Sequence, residues 1–85
     1  MDRSAEAVLK ILEEFIIREK GRLSEPLSLD TPLLQRGLID SFAIVSLGEE
    51  FARAFGITVT SGTLIPEDFE TPRQLWSRLQ ELAAD

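Results

Sequence analysis

The sequence predicts an all-α fold: a four-helix bundle of three long helices and one short helix, with a long loop between helices one and two. Apolar residues recur at helical spacing in three separate stretches, and each stretch begins beside a residue that can cap a helix. No stretch keeps up the alternation of a half-buried strand. The length of 85 residues fits one domain, residues 1–85, and a chain this small needs a compact core.

Helix one is predicted at about residues 4–19. Ser4 is a suitable N-cap, and Gly21 can adopt the left-handed conformation that ends a helix. The apolar stripe of this helix comprises Val8, Ile11, Leu12, Phe15 and Ile16.

The next segment, residues 21–39, is predicted to be a loop because Pro26 and Pro32 argue against a continuous helix. A structureless loop of this length is unusual in a compact domain. Since it is rich in leucine, we expect it to be pinned onto the core, with a short helical turn at residues 32–35. Its apolar residues are Leu23, Leu27, Leu29, Leu33, Leu34, Leu38 and Ile39.

Helix two is predicted to begin at Asp40 or Ser41, because either side chain can cap the first turn. Gly56 followed by Ile57 predicts a Schellman stop, and residues 57–59 are expected to be an extended loop because no partner strand is evident. The stripe expected to face the core comprises Ile44, Leu47, Gly48, Phe51 and Phe55, with Phe42, Val45 and Ala52 beside it.

The last third of the chain predicts a short helix and then a long one. Pro66 at a first helical position, followed by two acids, favours one helical turn that ends at Phe69. Thr71 to Gln74 has the pattern of a capping box with proline at the first position. The stripe of the last helix comprises Leu75, Trp76, Leu79, Leu82 and Ala83.

The composition excludes several kinds of site. There is no cysteine and no histidine, so disulfides, thiolate or imidazole metal sites and an imidazole base are absent. A net charge of −6 disfavours binding to nucleic acid or to an anionic membrane surface. No apolar run is long enough to span a bilayer, and the first residues do not resemble a signal peptide. We therefore expect a soluble, cytoplasmic protein.

Residues that could catalyse a reaction are scarce. Adjacent acids at residues 13–14, 49–50 and 67–68 point in different directions on a helix, which is typical of a solvated surface. A serine hydrolase would need a base beside its serine, and the only lysines are Lys10 and Lys20. We therefore expect that the protein is not an enzyme.

The segment from Gly37 to Phe42, Gly-Leu-Ile-Asp-Ser-Phe, admits two interpretations. Asp40 or Ser41 can simply cap helix two, with Gly37 making the turn before it. Alternatively, Ser41 is a hydroxyl displayed at a helix N-terminus, where free backbone N–H groups and the helix dipole favour an attached phosphate.

These features together resemble the acyl carrier protein family, which includes peptidyl and aminoacyl carriers. The resemblance covers nearly the whole chain: helix one, the loop with residues 30–34, the Gly37–Phe42 motif, helix two as far as Ile57, and the last helix. The motif and residues 67–72 are most similar to the freestanding aminoacyl and D-alanyl carrier proteins.

The resemblance implies that Ser41 carries a covalent 4′-phosphopantetheine group from coenzyme A, with Asp40 as the neighbouring acid of the motif. The cargo would be held as a thioester on this arm, and partner enzymes would do the chemistry. The implied partners are a phosphopantetheinyl transferase, a ligase that activates the acyl or amino-acid cargo, and a downstream acyltransferase, synthase or thioesterase. A monomer is expected.

The expected partner surface comprises Leu38, Phe42, Ala43, Ser46, Glu49 and Glu50. Fatty-acid carriers present an acidic helix two, whereas residues 41–60 hold only two acids and one base, so we expect apolar contacts to matter more. The alternative is a non-covalent helical protein-interaction module in which Ser41 acts only as a helix cap. The sequence does not distinguish among three classes of cargo: an amino acid, a fatty acyl chain and a polyketide intermediate.

Overall fold

The computed structural model of the chain describes residues 3–60 and 62–84. Its elements are α1 (Ala5–Lys20), α2 (Ser41–Phe55), a 3-10 turn (Pro66–Phe69) and α3 (Pro72–Ala83). The described residues contain no β-strand, which confirms the all-α prediction. The predicted short helix is a 3-10 helix of four residues. The described residues therefore form three α-helices and one 3-10 helix rather than four α-helices. None of them is long and apolar enough to cross a membrane.

The predicted capping residues, Ser4 and Gly21, flank α1, and both ends of the helix lie one residue later than predicted. The hydroxyl of Ser4 accepts a hydrogen bond from the backbone N–H of Ala7 at 3.1 Å. Gly21 has a φ of 86° and donates its N–H to the Ile17 carbonyl, so the chain leaves the helix in the left-handed region that glycine tolerates best.

The C-terminus of α2 is the predicted Schellman stop. Gly56 has a φ of 67° and donates its N–H to the carbonyl of Ala52. The N–H of Ile57 also reaches the Ala52 carbonyl, at 3.0 Å, which is the bond that defines the motif. At the start of α3, Thr71 accepts a hydrogen bond from the N–H of Gln74, as the capping pattern predicts.

The core lies between the three helices and is closed by the loop and the 3-10 turn. Phe51 and Phe55 meet edge to face with ring centroids 5.9 Å apart, a favourable aromatic geometry. Phe69 brings the 3-10 turn into the same cluster and is fully buried. The buried apolar residues are Val8, Leu12, Phe15, Ile16, Leu27, Leu33, Ile39, Ile44, Leu47, Phe51, Phe55, Leu64, Phe69, Leu75 and Leu79.

Two residues expected beside the core stripe of α2 point away from it instead. Phe42 is 87% exposed and Val45 is 68% exposed. The reason is the helical rotation of about 100° per residue, which places Phe42 about 160° around the helix from Ile44. The prediction that these two side chains flank the core is therefore wrong, and α2 presents exposed apolar side chains.

The long loop is pinned onto the core, as predicted. Leu27, Leu33 and Ile39 are buried, while the other leucines of the loop are half-buried. The N–H of Arg36 donates to the carbonyl of Pro32 at 3.0 Å, so the loop contains the expected single helical turn.

Hydrogen bonds attach the loop to α1 and to the 3-10 turn. The N–H of Leu27 donates to a carboxylate oxygen of Glu13 at 2.9 Å. The N–H of Leu33 donates to the carbonyl of Glu70, also at 2.9 Å. Without these bonds, the backbone N–H groups of two buried leucines would have no hydrogen-bond partner, which is costly away from water.

An ion pair and a backbone bond join the loop to the start of α3. Arg73 donates to both carboxylate oxygens of Asp30, at 3.0 and 3.2 Å, and its own N–H donates to the Leu29 carbonyl. The hydrogen bond and the positive charge of Arg73 hold the pKa of the Asp30 carboxyl below its usual range, and the same contact raises the pKa of Arg73. The loop is thus fixed at its middle as well as at its ends.

Arg3 ties the start of the chain to the far end of α2. Its Nε donates to the carbonyl of Phe55 at 2.9 Å, which satisfies one of the last carbonyls of the helix. The carbonyl of Arg3 accepts hydrogen bonds from Nε1 of Trp76 at 3.0 Å and from Gln80 at 3.5 Å. Arg3 therefore bridges α2 and α3.

Candidate functional site

The candidate site is the N-terminus of α2, where Ser41 is the first helical residue and is exposed. Asp40 is the N-cap: its backbone is extended, and its carboxylate accepts a hydrogen bond from the N–H of Ala43 at 2.9 Å. The two capping options are thereby resolved in favour of Asp40. The interpretation of Ser41 as a helix cap is wrong, because Ser41 lies inside the helix.

The turn before the helix determines where Asp40 and Ser41 emerge. Gly37 has a φ of 68°, a conformation that other residues rarely adopt. Leu38 donates its N–H to the carbonyl of Leu33 at 2.9 Å, which closes the turn, and Ile39 is only 3% exposed. The buried Ile39 anchors the chain directly before the exposed Asp40 and Ser41.

Two backbone donors at this helix end have no acceptor within the described residues. They are the N–H groups of Ser41 and Phe42, which lie in the first turn, where an α-helix has no partners for its N–H groups. Together with the helix dipole, such donors favour a negatively charged oxygen group. The described residues contain no cluster of three or more potential metal ligands of the His, Cys, Asp or Glu type, so nothing there indicates a metal centre.

Four of the six expected partner-surface residues line one groove. The groove lies between the end of α1 and the start of α2 and has a volume of about 330 Å³; we call it the α1–α2 groove. Its lining comprises Phe15, Glu19, Lys20, Leu38, Ile39, Asp40, Phe42, Ala43 and Ser46. Glu19 and Lys20 were not expected at the partner surface, because their proximity to α2 depends on how the helices pack.

The two remaining residues of the expected surface lie elsewhere. Glu49 lines a second groove, the α2–loop groove, of about 240 Å³. Glu50 is half-buried and accepts a hydrogen bond from Arg18 at 2.6 Å, so its charge is paired across the helices. The α2–loop groove is lined by Ile44, Val45, Gly48, Glu49, Val59, Thr60, Gly62 and Leu64.

The sequence is similar to curated carrier proteins over most of its length. It is 36% identical over 77 residues to the D-alanyl carrier proteins of Bacillus cereus (strain B4264) and Bacillus anthracis (strain CDC 684 / NRRL 3495). Each match covers 91% of this chain and 92% of the relative. The chain belongs to the acyl carrier protein family. No family model matches the chain, and no solved structure is significantly similar to it.

The residues at the start of α2 fit the prosthetic group that the acyl carrier protein family implies. A phosphopantetheine ester needs an accessible hydroxyl, and Ser41 provides one. The attached phosphate needs hydrogen-bond donors, and the N–H groups of Ser41 and Phe42 are available within the described structure. The Asp40 carboxylate accepts a hydrogen bond from the N–H of Ala43 and so stabilises the end of the helix that carries Ser41.

Proposed function

We propose that the protein is a freestanding, cytoplasmic and monomeric carrier whose Ser41 is esterified with 4′-phosphopantetheine. The observation that carries this proposal is the exposed Ser41 hydroxyl in the first turn of α2, beside two N–H groups that have no acceptor among residues 3–60 and 62–84. The similarity to D-alanyl carrier proteins over 91% of the chain supports it. We also propose that the 3-10 turn stands in the position of the short helix in the family's four-helix bundle.

Each residue of the site has a distinct role in this proposal. The Ser41 oxygen is the point of attachment, and the neighbouring N–H groups stabilise the phosphodiester charge. Asp40 keeps the helix end formed through its bond to Ala43. When bound, the prosthetic group supplies a thiol that can carry cargo as a thioester, a group that this cysteine-free chain lacks.

The carrier is proposed to have no catalytic activity of its own. Its partners would be a phosphopantetheinyl transferase, a ligase that activates the cargo, and a downstream acyltransferase, synthase or thioesterase. Their contacts must be brief, because the carrier has to leave each enzyme for the next one. The name of the relatives favours an aminoacyl cargo, with D-alanine as the first candidate to test.

The proposal is tested by intact-protein mass spectrometry before and after incubation with coenzyme A, Mg²⁺ and a promiscuous phosphopantetheinyl transferase. The wild type is expected to gain the mass of one phosphopantetheinyl group. Ser41→Ala is expected to gain nothing. Ser77→Ala is the matched control, because Ser77 is an exposed serine on α3, and this variant should be modified like the wild type.

Either of two results would contradict the proposal: no mass gain on a folded wild type, or a gain that persists in Ser41→Ala. The first result would favour a non-covalent interaction module, for which the exposed Phe42 and Val45 supply apolar surface. Hydrolysis of an activated ester by the unmodified protein would instead support a serine hydrolase.

A further inference from the structure

We propose that the enzyme that modifies Ser41 docks on the α1–α2 groove, receives the Phe42 ring in an apolar recess and covers Lys20 at the end of α1. This inference rests on the proposed function, since it concerns the transferase that attaches the prosthetic group. It extends the docking surface from α2 to α1, which was not part of the partner surface expected from the sequence.

The position of the groove relative to Ser41 is the first argument. Asp40 and Phe42, the two residues that flank Ser41 in the chain, both line the α1–α2 groove. The α2–loop groove begins only at Ile44. An enzyme that binds around the Ser41 hydroxyl therefore contacts the edge of the α1–α2 groove.

The orientation of Phe42 is the second argument. Its side chain is 87% exposed and lines the α1–α2 groove, so this large apolar ring is left in water beside the reactive hydroxyl. Aromatic side chains are enriched among the residues that dominate binding energy at interfaces. Val45, the other strongly exposed apolar residue of α2, lines the α2–loop groove instead.

The area that an enzyme must cover is the third argument. Even a small, transient interface buries several hundred Å² on each partner, whereas one aromatic side chain supplies about 150–250 Å². A partner seated on Phe42 must therefore extend to the residues beside it. In the groove these include Leu38 and, from α1, Glu19 and Lys20.

The charges around the groove determine the chemistry of the partner. Glu50 is paired with Arg18, and the carboxylate of Asp40 is bonded to the backbone of Ala43. Glu19 and Lys20 carry opposite charges side by side, so Asp40 is left as the one carboxylate of the lining that has no opposite charge beside it in the groove. The complementary surface therefore needs an apolar recess for Phe42 with polar groups around it rather than a strongly basic patch, and the rate of docking should fall only modestly as salt is added.

The first test compares two variants that remove an exposed apolar side chain from the same helix. The measured quantity is the kcat/KM of a purified promiscuous phosphopantetheinyl transferase acting on the unmodified carrier. Phe42→Ser is expected to lower this kcat/KM about tenfold, as for an interface residue that contributes strongly to the binding energy. Val45→Ser, the matched control on the other groove, is expected to change it less than about twofold.

The second test places a photo-crosslinking amino acid at position 20 and, as the control, at position 10 of the same helix. Lys20 lines the groove, whereas Lys10 is an exposed residue that does not. Position 20 is expected to cross-link to the transferase and position 10 is not.

Three results would overturn the inference: losses of equal size in the two serine variants, a larger loss in Val45→Ser, or no cross-link from position 20. A steep fall of the wild-type kcat/KM with salt would overturn the weakly charged character of the surface. These failures differ from failure of the proposed function, in which the wild type itself would gain no phosphopantetheinyl mass.

Discussion

At the scale of single residues, Asp40 caps α2 and Ser41 offers an exposed hydroxyl, a division of roles that the sequence alone does not decide. Both residue types can cap a helix, and only the backbone conformation decides between them. Asp40 is extended and bonds the N–H of Ala43, so Ser41 is free of any capping duty. The hydroxyl can therefore be modified without loss of the helix end.

This division predicts different stabilities for two alanine variants. Asp40→Ala should lower the free energy of unfolding by about 1 kcal/mol, the usual cost of removing an N-cap. Ser41→Ala should change it by less than about 0.5 kcal/mol, as for other exposed sites. Urea denaturation followed by the fluorescence of Trp76 measures both. A larger loss for Ser41→Ala than for Asp40→Ala would contradict the assignment of the cap.

At the scale of elements, the helix boundaries were predicted to within a residue or so, whereas the directions of Phe42 and Val45 were predicted wrongly and the α1–α2 groove was not foreseen. Local signals placed the ends of α1 and α2, because Ser4, Gly21 and Gly56 act through bonds to their own neighbourhood. The exposure of Phe42 follows from helical rotation and could have been worked out from the sequence. The presence of Lys20 beside α2 depends on packing between distant segments, which no local pattern encodes.

The loop element carries a prediction on pH. Because Arg73 lowers the folded-state pKa of Asp30, this pair contributes stability above the ordinary pKa of 3.8, and the contribution is lost as the pH falls through the lowered value. The unfolding free energy of the wild type should therefore fall more steeply in acid than that of Asp30→Asn. The difference should be small, since both side chains are exposed and solvent screens the pair.

Chemical denaturation at a series of pH values from neutral to strongly acidic tests the contribution of this pair. Arg73→Gln should reproduce the shallower acid dependence of Asp30→Asn, because it removes the other partner. Glu67→Gln is the control, since Glu67 is exposed and makes no ion pair within the described residues. Identical acid profiles for the wild type and Asp30→Asn would count against a stabilising pair.

At the scale of the whole molecule, a small core has to hold together three helices, a loop and a 3-10 turn. A domain of this length has an unfolding free energy of only about 4–13 kcal/mol. Phe69 joins the 3-10 turn to the core and is fully buried. The four-residue turn is therefore expected to be part of the cooperative unit rather than an appendage.

Removing the Phe69 ring tests this expectation. Phe69→Ala should lower the unfolding free energy by about 3–5 kcal/mol, which is a large share of the total. Glu67→Ala, an exposed change in the same turn, should stay within about 0.5 kcal/mol of the wild type. Both are read from denaturation curves. A loss below about 1 kcal/mol for Phe69→Ala would mean that the turn is held independently of the core.

The anchoring of Arg3 has a practical consequence for handling the protein. Its bonds to Phe55 and Trp76 place Arg3 at the C-terminal end of α2, and a helix of 15 residues separates that end from Ser41 by roughly 20 Å. An affinity tag, a fluorophore or a surface linker attached ahead of Arg3 would therefore join the described structure at a residue about one helix length from Ser41. Immobilised through that end, the carrier would present Ser41 and the α1–α2 groove beside it to enzymes flowing past.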